Sequence, residues 1–137
     1  MIFEYHIEGG DFTKAGYASS EVKKILRQLI LEPSLIKRIA VAMYEAEVNV
    51  VAHAYNGTMT VDIDTCRIFI KVKDEGPGIE DIEKAMTVGW STANEKVREM
   101  GFGAGMGLPN IKKNADKLNI TSIPGTGTTV EITCFIR

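Results

Sequence analysis

Met59-Thr60-Val61-Asp62-Ile63-Asp64-Thr65-Cys66-Arg67-Ile68-Phe69-Ile70-Lys71-Val72-Lys73 contains two runs of alternating residues joined by a short polar link. Met59, Val61 and Ile63 fall on one side of the first run, with Thr60, Asp62 and Asp64 on the other. In the second run Ile68, Ile70 and Val72 alternate with Arg67, Phe69, Lys71 and Lys73. A period of two is that of a half-buried strand, and the link at Asp64-Thr65 predicts an antiparallel hairpin. Strands with one clean apolar face belong to a sheet that is covered on one side only.

The cover is found on either side of this hairpin. Upstream, Ala18, Val22, Ile25, Leu26, Leu29 and Ile30 recur at three- and four-residue steps, which predicts an amphipathic helix over about 14–31. Pro33 punctuates it. Leu35, Ile36, Ile39, Ala42, Met43, Ala46 and Val50 form the buried stripe of a second helix over about 34–54, with Asn56-Gly57 read as its left-handed stop. At the start of the chain Phe3, Tyr5 and Ile7 alternate with Glu4 and His6, another half-buried strand. Downstream, 80–86 reads as a brief helix, and Leu108, Ile111, Ala115 and Leu118 mark a further one. Residues 119–123 and 128–136 read as a closing hairpin around Pro124-Gly125-Thr126-Gly127. The expected fold class is α/β (α+β): a two-layer sandwich whose mixed, largely antiparallel sheet carries helices on one face.

At 137 residues the chain is expected to form a single domain, 1–137, with a full core. A formal net charge of -2 gives no general electrostatic attraction to nucleic acid or to an anionic membrane. No apolar run approaches a membrane span, and Met1 opens a strand-like segment rather than a signal peptide, so the expected location is cytoplasmic. Cys66 and Cys134 have neither metal-ligand spacing nor secretory context, and both are expected to be buried free thiols.

Three segments carry chemistry. The first is Glu45-Ala46-Glu47-Val48-Asn49 within the second helix. Glu45 and Asn49 are one turn apart on one face, with His53 continuing the line, whereas Glu47 is rotated away and expected in solvent. One amide oxygen can suffice for Mg²⁺, which otherwise prefers water and phosphate, and this leaves Glu45 available as a general base. Taken alone, the pair also fits two solvated helix residues.

The second segment is Asp74-Glu75-Gly76-Pro77-Gly78-Ile79, at the end of a strand. The glycines let a planar ring approach the backbone, and the acceptor-only carboxylate of Asp74 suits an exocyclic amine such as that of adenine. A tight turn led by aspartate is the plainer alternative. The third segment alternates Gly101, Gly103, Gly105 and Gly107 immediately before a helix. Backbone N–H groups freed there can form an anion nest beside the helix dipole, or the stretch can serve as a hinge. It is neither a Walker loop nor a Rossmann turn, because no Gly-Lys-Ser/Thr follows and no strand precedes. The polar stretch 87–107, with the lone Trp90, is expected to be a mobile lid.

With these residues in order, the chain resembles the GHKL (Bergerat-fold) ATPases, which include gyrase B, MutL, heat-shock chaperones, histidine kinases and bacterial anti-sigma serine kinases. Glu45 and Asn49 match the family's asparagine box, and Asp74, Gly76 and Gly78 its first glycine box. Gly103, Gly105 and Gly107 match the second glycine box, and Gly127-Thr128 the closing Gly-Thr. The chain leaves no room for the phosphoacceptor hairpin of a histidine kinase or the second domain of gyrase B. A strand and helix before the asparagine box resemble the stand-alone anti-sigma factor kinases, and Leu108-Pro109-Asn110-Ile111 the switch-type serine kinases.

The resemblance implies a Bergerat-type sandwich that binds ATP and Mg²⁺ and phosphorylates a serine on a STAS-domain partner. A sigma factor and a second copy of the chain are further partners it admits. Glu45 would be catalytic and Asn49 would hold the metal. Asp74 with Thr128 would read adenine beside Gly76 and Gly78, while Gly101, Gly103, Gly105, Gly107 and Leu108 would close over the phosphates. Two other functions remain open at this level, a nucleotide-dependent binding module without transfer and a slow stand-alone ATPase.

Overall fold

The computed structural model describes residues 1–29, 31–86 and 107–136. Strand β1 (Ile2–Glu8) leads through a 3₁₀ turn at Phe12–Lys14 into helices α1 (Tyr17–Gln28) and α2 (Pro33–His53). Strands β2 (Asn56–Ile63) and β3 (Arg67–Glu75) follow, then the short helix α3 (Ile82–Ala85). Helix α4 (Gly107–Asn114) precedes β4 (Lys117–Ile123) and β5 (Gly127–Phe135).

The described strands form one sheet in the order β1-β2-β3-β5-β4, with each neighbouring pair antiparallel. Both expected hairpins form. Met59 stands opposite Val72 and Val61 opposite Ile70. Ile70 in turn faces Ile132, so the apolar side chains make continuous rows on one face. Met59, Val61, Ile68, Ile70 and Ile132 are fully buried against the helices, each side chain contributing about 1.5–3 kcal/mol by burial. The charged alternates Lys71 and Lys73 lie exposed on the other face.

Helix α2 is the spine of the helical layer, touching α1, α4 and strands β1, β2, β3 and β5. Its buried residues include the whole predicted stripe, and Pro33 occupies its first turn, where a missing N–H costs nothing. Among the described residues no helix is long and apolar enough to cross a membrane.

The structure corrects three expectations. Asn56-Gly57 does not stop α2 in a left-handed turn: Ala54 ends the helix in extended conformation, and Asn56 and Gly57 already pair with Glu75 and Asp74. The glycine serves close packing there, since a Cβ on Gly57 would lie 2.9 Å from Val50 Cγ1. Cys66 is exposed rather than buried, because it sits in the β2–β3 turn. That turn is closed by Asp64 Oδ1, which accepts the Cys66 and Arg67 N–H groups at 2.7 and 2.8 Å. Cys134 is buried as expected.

The third correction concerns Glu47, which is 2% exposed instead of solvated. Its Oε2 accepts the Gly16 and Ala18 N–H groups at 3.0 and 3.2 Å. Oε1 accepts the Ser19 N–H at 2.9 Å and the Ser19 hydroxyl at 2.6 Å. Helix α1 has no acidic residue in its first turn and no side-chain cap of its own. Its unsatisfied N–H groups and positive dipole end are met by a carboxylate from α2 instead. Gly16 makes the approach feasible: its φ of 92° is left-handed, and a Cβ would come within 3.1 Å of the Tyr44 ring.

Candidate functional site

The side chains of Glu45 and Asn49 are half-buried one turn apart on α2. The start of α4 packs beside Glu45: a Cβ on Gly107 would stand 3.5 Å from Glu45 Oε2. Asn110 Nδ2 donates to Glu45 Oε1 across 3.5 Å, at the long limit for such a bond. Burial pushes the Glu45 carboxyl above the usual glutamate range, partly offset by the Asn110 contact. Among the described residues Asn110 is the one side-chain donor to this half-desolvated carboxylate, an arrangement compatible with proton acceptance. The Asn49 amide makes no hydrogen bond to another described residue.

A second cluster forms where β3 leaves the sheet. Asp74 is half-buried, and its Oδ1 accepts the Thr128 N–H at 3.0 Å. Burial raises the Asp74 carboxyl from the ordinary aspartate range, with that hydrogen bond pulling the other way. The Thr128 and Ser122 hydroxyls are 2.9 Å apart. Ser122 Oγ accepts the Ile79 N–H at 2.7 Å and donates to the Gly127 carbonyl at 3.2 Å. Ser122 has one proton to share between the Gly127 carbonyl and Thr128, and either hydroxyl can donate to the other.

Glycines allow these segments to meet. A Cβ on Gly127 would fall 2.1 Å from the Asp74 carbonyl oxygen, and one on Gly76 would fall 2.9 Å from Ala54 Cα. Gly78 takes φ +75°, and its Cβ would lie 2.6 Å from the Ile123 carbonyl oxygen. Gly76 N–H donates to Thr126 O at 3.1 Å, and Gly125 N–H to Pro77 O at 2.8 Å, which ties the β3 exit to the β4–β5 turn.

The structure thus gathers Glu45 with Gly107, and Asp74 with Gly76, Gly78 and Thr128. Helix α2 joins the two clusters, running from Glu45 to Ala54, whose backbone lies against Gly76. At 1.5 Å per residue this distance is about 13 Å along the helix. Leu108 is buried in the hydrophobic core beside Ile111, so its side chain anchors α4. Gly101, Gly103, Gly105, Trp90 and the expected lid lie outside the described residues apart from Gly107 itself. Sequence reasoning missed Asn110 and Ser122, which support the two carboxylates' surroundings. Asn110 had a signal in its place one helical turn after Gly107, on the face turned to α2, whereas Ser122 had none.

The chain is 40% identical over 113 residues to the anti-sigma F factor of Thermoanaerobacter sp. strain X514, covering 77% of this chain and 76% of that protein. It is 32% identical over 104 residues to the serine/threonine-protein kinase RsbT of Bacillus subtilis strain 168, covering 73% and 72%. The anti-sigma F factor of the same Bacillus strain is 26% identical over 137 residues, covering 95% of this chain and 90% of its own. The histidine kinase-like ATPase domain matches residues 12–134, which takes in α2, the β3 exit and the β4–β5 turn together. By that match, and by the relatives it shares, this chain belongs to the histidine kinase-like ATPase domain family.

Proposed function

We propose that this chain is a cytoplasmic, ATP-dependent protein serine kinase of the anti-sigma factor type, whose acceptor is a serine on a STAS-domain protein. The observation that carries this reading is the layout along α2. A half-buried carboxylate of raised proton affinity stands within the helix, and the Asp74 cluster lies about 13 Å further along, beside its C-terminal end. That spacing suits a nucleotide lying along the helix with its base at Asp74 and its phosphates toward Glu45. The names of the relatives, anti-sigma F factor and serine/threonine-protein kinase, support the same reaction.

The residues fit ATP and Mg²⁺ by the chemistry of their donor sets. Asp74 would accept the adenine amine, while Gly76 and Gly78 let the β3 exit close tightly against Ala54 and Ile123. Asn49 would offer an amide oxygen to Mg²⁺. Gly107, with Gly101, Gly103 and Gly105, would turn N–H groups toward the phosphates at the start of α4. ATP, when bound, supplies the phosphoryl group. Glu45 would take the proton from the acceptor serine hydroxyl, so its half-buried carboxylate must be ionised. Much of the rate comes from positioning and charge neutralisation, as is general for phosphoryl transfer.

Incubation with γ-labelled ATP, Mg²⁺ and a STAS-domain anti-sigma antagonist tests the reading directly. Label on a serine of that protein is the expected result. Release of labelled phosphate without a labelled protein would make the chain a slow ATPase, and neither outcome with ATP still bound would make it a binding module.

The base pocket has a separate test. Asp74→Asn keeps the size of the side chain but can turn a donor toward the adenine amine. Loss of a charge-assisted hydrogen bond costs roughly 1.5–3 kcal/mol, about a ten- to hundredfold weaker affinity for ATP by calorimetry. Unchanged affinity would remove Asp74 from the site.

A further inference from the structure

A cavity of about 710 Å³ opens between the start of α1 and the middle of α2, and Glu45 is among its lining residues. Its walls also carry Lys14, Lys23, Lys37, Tyr17 and Tyr44. The two tyrosines are 62% and 42% exposed, so their rings present apolar surface at the cavity. Lys14 is paired with Asp11 at 3.7 Å, but Lys23 and Lys37 make no ion pair with another described residue.

The α1 N-terminus beside this cavity cannot serve as its anion site. The Gly16, Ala18 and Ser19 N–H groups are already taken by Glu47. The positive potential comes instead from separate ammonium groups on long stems. Such groups suit several carboxylates spread along a chain better than one fixed, compact anion. Exposed tyrosines add broad apolar contact that still tolerates water.

We infer that this cavity is the docking cleft for the serine-bearing segment of the protein acceptor, and that this segment is acidic. The inference rests on the kinase reading, because Glu45 belongs both to the cleft and to the proposed proton-transfer site. A segment lying in the cleft brings a neutral hydroxyl to Glu45 while its flanking carboxylates face Lys23 and Lys37. The tyrosine rings hold its backbone and apolar atoms. Electrostatic matching of this kind selects the partner and speeds encounter more than it adds affinity.

The test uses the full chain with Mg²⁺ and a non-hydrolysable ATP analogue. The probes are a labelled dodecapeptide with one serine flanked by aspartates and glutamates, the same peptide with asparagine and glutamine, and citrate as a compact anion. The acidic peptide is expected to bind, more weakly as salt rises, and the neutral one about tenfold less tightly. Lys23→Glu with Lys37→Glu should weaken the acidic peptide about tenfold, with melting temperature and Mg-ATP affinity read on the same sample. Lys23→Gln with Lys37→Gln should show a smaller loss in the same direction. No binding of the acidic peptide, equal binding of both peptides, indifference to the lysine changes, or displacement by citrate at peptide concentrations would each overturn the docking cleft. Docking is measured without transfer, so the two readings fail separately. A peptide that docks through the lysines but is never labelled by γ-labelled ATP defeats the kinase reading alone. A peptide labelled equally by wild type and both lysine variants defeats the cleft alone.

Discussion

Glu45→Gln is expected to bind Mg-ATP as the parent chain does while transferring phosphate roughly 10²–10⁴-fold more slowly. The substitution preserves the side chain's shape. Asn110 Nδ2, which donates to Glu45 Oε1, finds an amide oxygen in the same place, so the packing of α4 on α2 should persist. What disappears is the proton acceptor. Burial raises the affinity of Glu45 for a proton, so wild-type transfer should rise with pH through its elevated folded pKa, and the variant's residual rate should lack that rise.

The linked stability change has a definite sign. A carboxyl whose pKa is higher in the folded than in the unfolded chain favours the folded state below its unfolded pKa. It loses that contribution as pH rises through the folded value. Glutamine never ionises, so the variant should melt at or slightly above the wild-type temperature at neutral pH, and the gain should vanish in acid. Initial rates and scanning calorimetry across pH measure both effects. Wild-type transfer rates in the variant would place the base elsewhere.

Glu47→Ala should be the most destabilising substitution in the helical layer. It strips the acceptor from three backbone N–H groups and the Ser19 hydroxyl, all gathered at the α1 N-terminus. Breaking a buried charged cluster by removing one partner costs about 3–5 kcal/mol, a large part of the stability of about 5–15 kcal/mol typical of a small domain. Glu47→Gln retains one acceptor but turns an amide NH₂ toward other donors, so it should fall between wild type and alanine. Urea unfolding resolves the series. A cost below about 1 kcal/mol for alanine would show that α1 is held mainly by Val22 and Leu26 in the core.

Glu47 also marks the boundary of what the sequence reveals. Periodicity gives the direction of a side chain on α2 but says nothing about which element lies there. The direction itself was read well, since Glu47 does point away from Glu45. It meets α1 rather than water, and the clue lay on the other partner, a helix start with neither an acidic first turn nor a cap. The strands were legible because alternation reports burial directly, and the α2 stripe because its spacing matches a single buried face. Asn56-Gly57 was misread because glycine permits two uses, a left-handed stop and a close approach, and only the neighbouring Val50 and Lys73 decide between them. Cys66 was misread because a free thiol is usually apolar filling, whereas here the Asp64 turn lifts it out. Asp74 with Gly76, Gly78 and Thr128 could be named from motif order, but Ser122 is defined only by β4 pairing with β5.

The hydroxyl pair behind Asp74 gives the proposed base pocket a polarity of its own. The Ser122 hydroxyl reaches both the Gly127 carbonyl and the hydroxyl of the buried Thr128, so one proton is shared between two acceptors behind the carboxylate. An Asp74 carboxylate, when ionised, only accepts hydrogen bonds. If Asp74 reads the base as proposed, its carboxylate receives an exocyclic amine, whereas guanine, with a carbonyl at the same ring carbon, sets oxygen against oxygen. Discrimination between the two purines would then be set at the Asp74 carboxylate, which the Thr128 N–H holds in place in front of the hydroxyl pair.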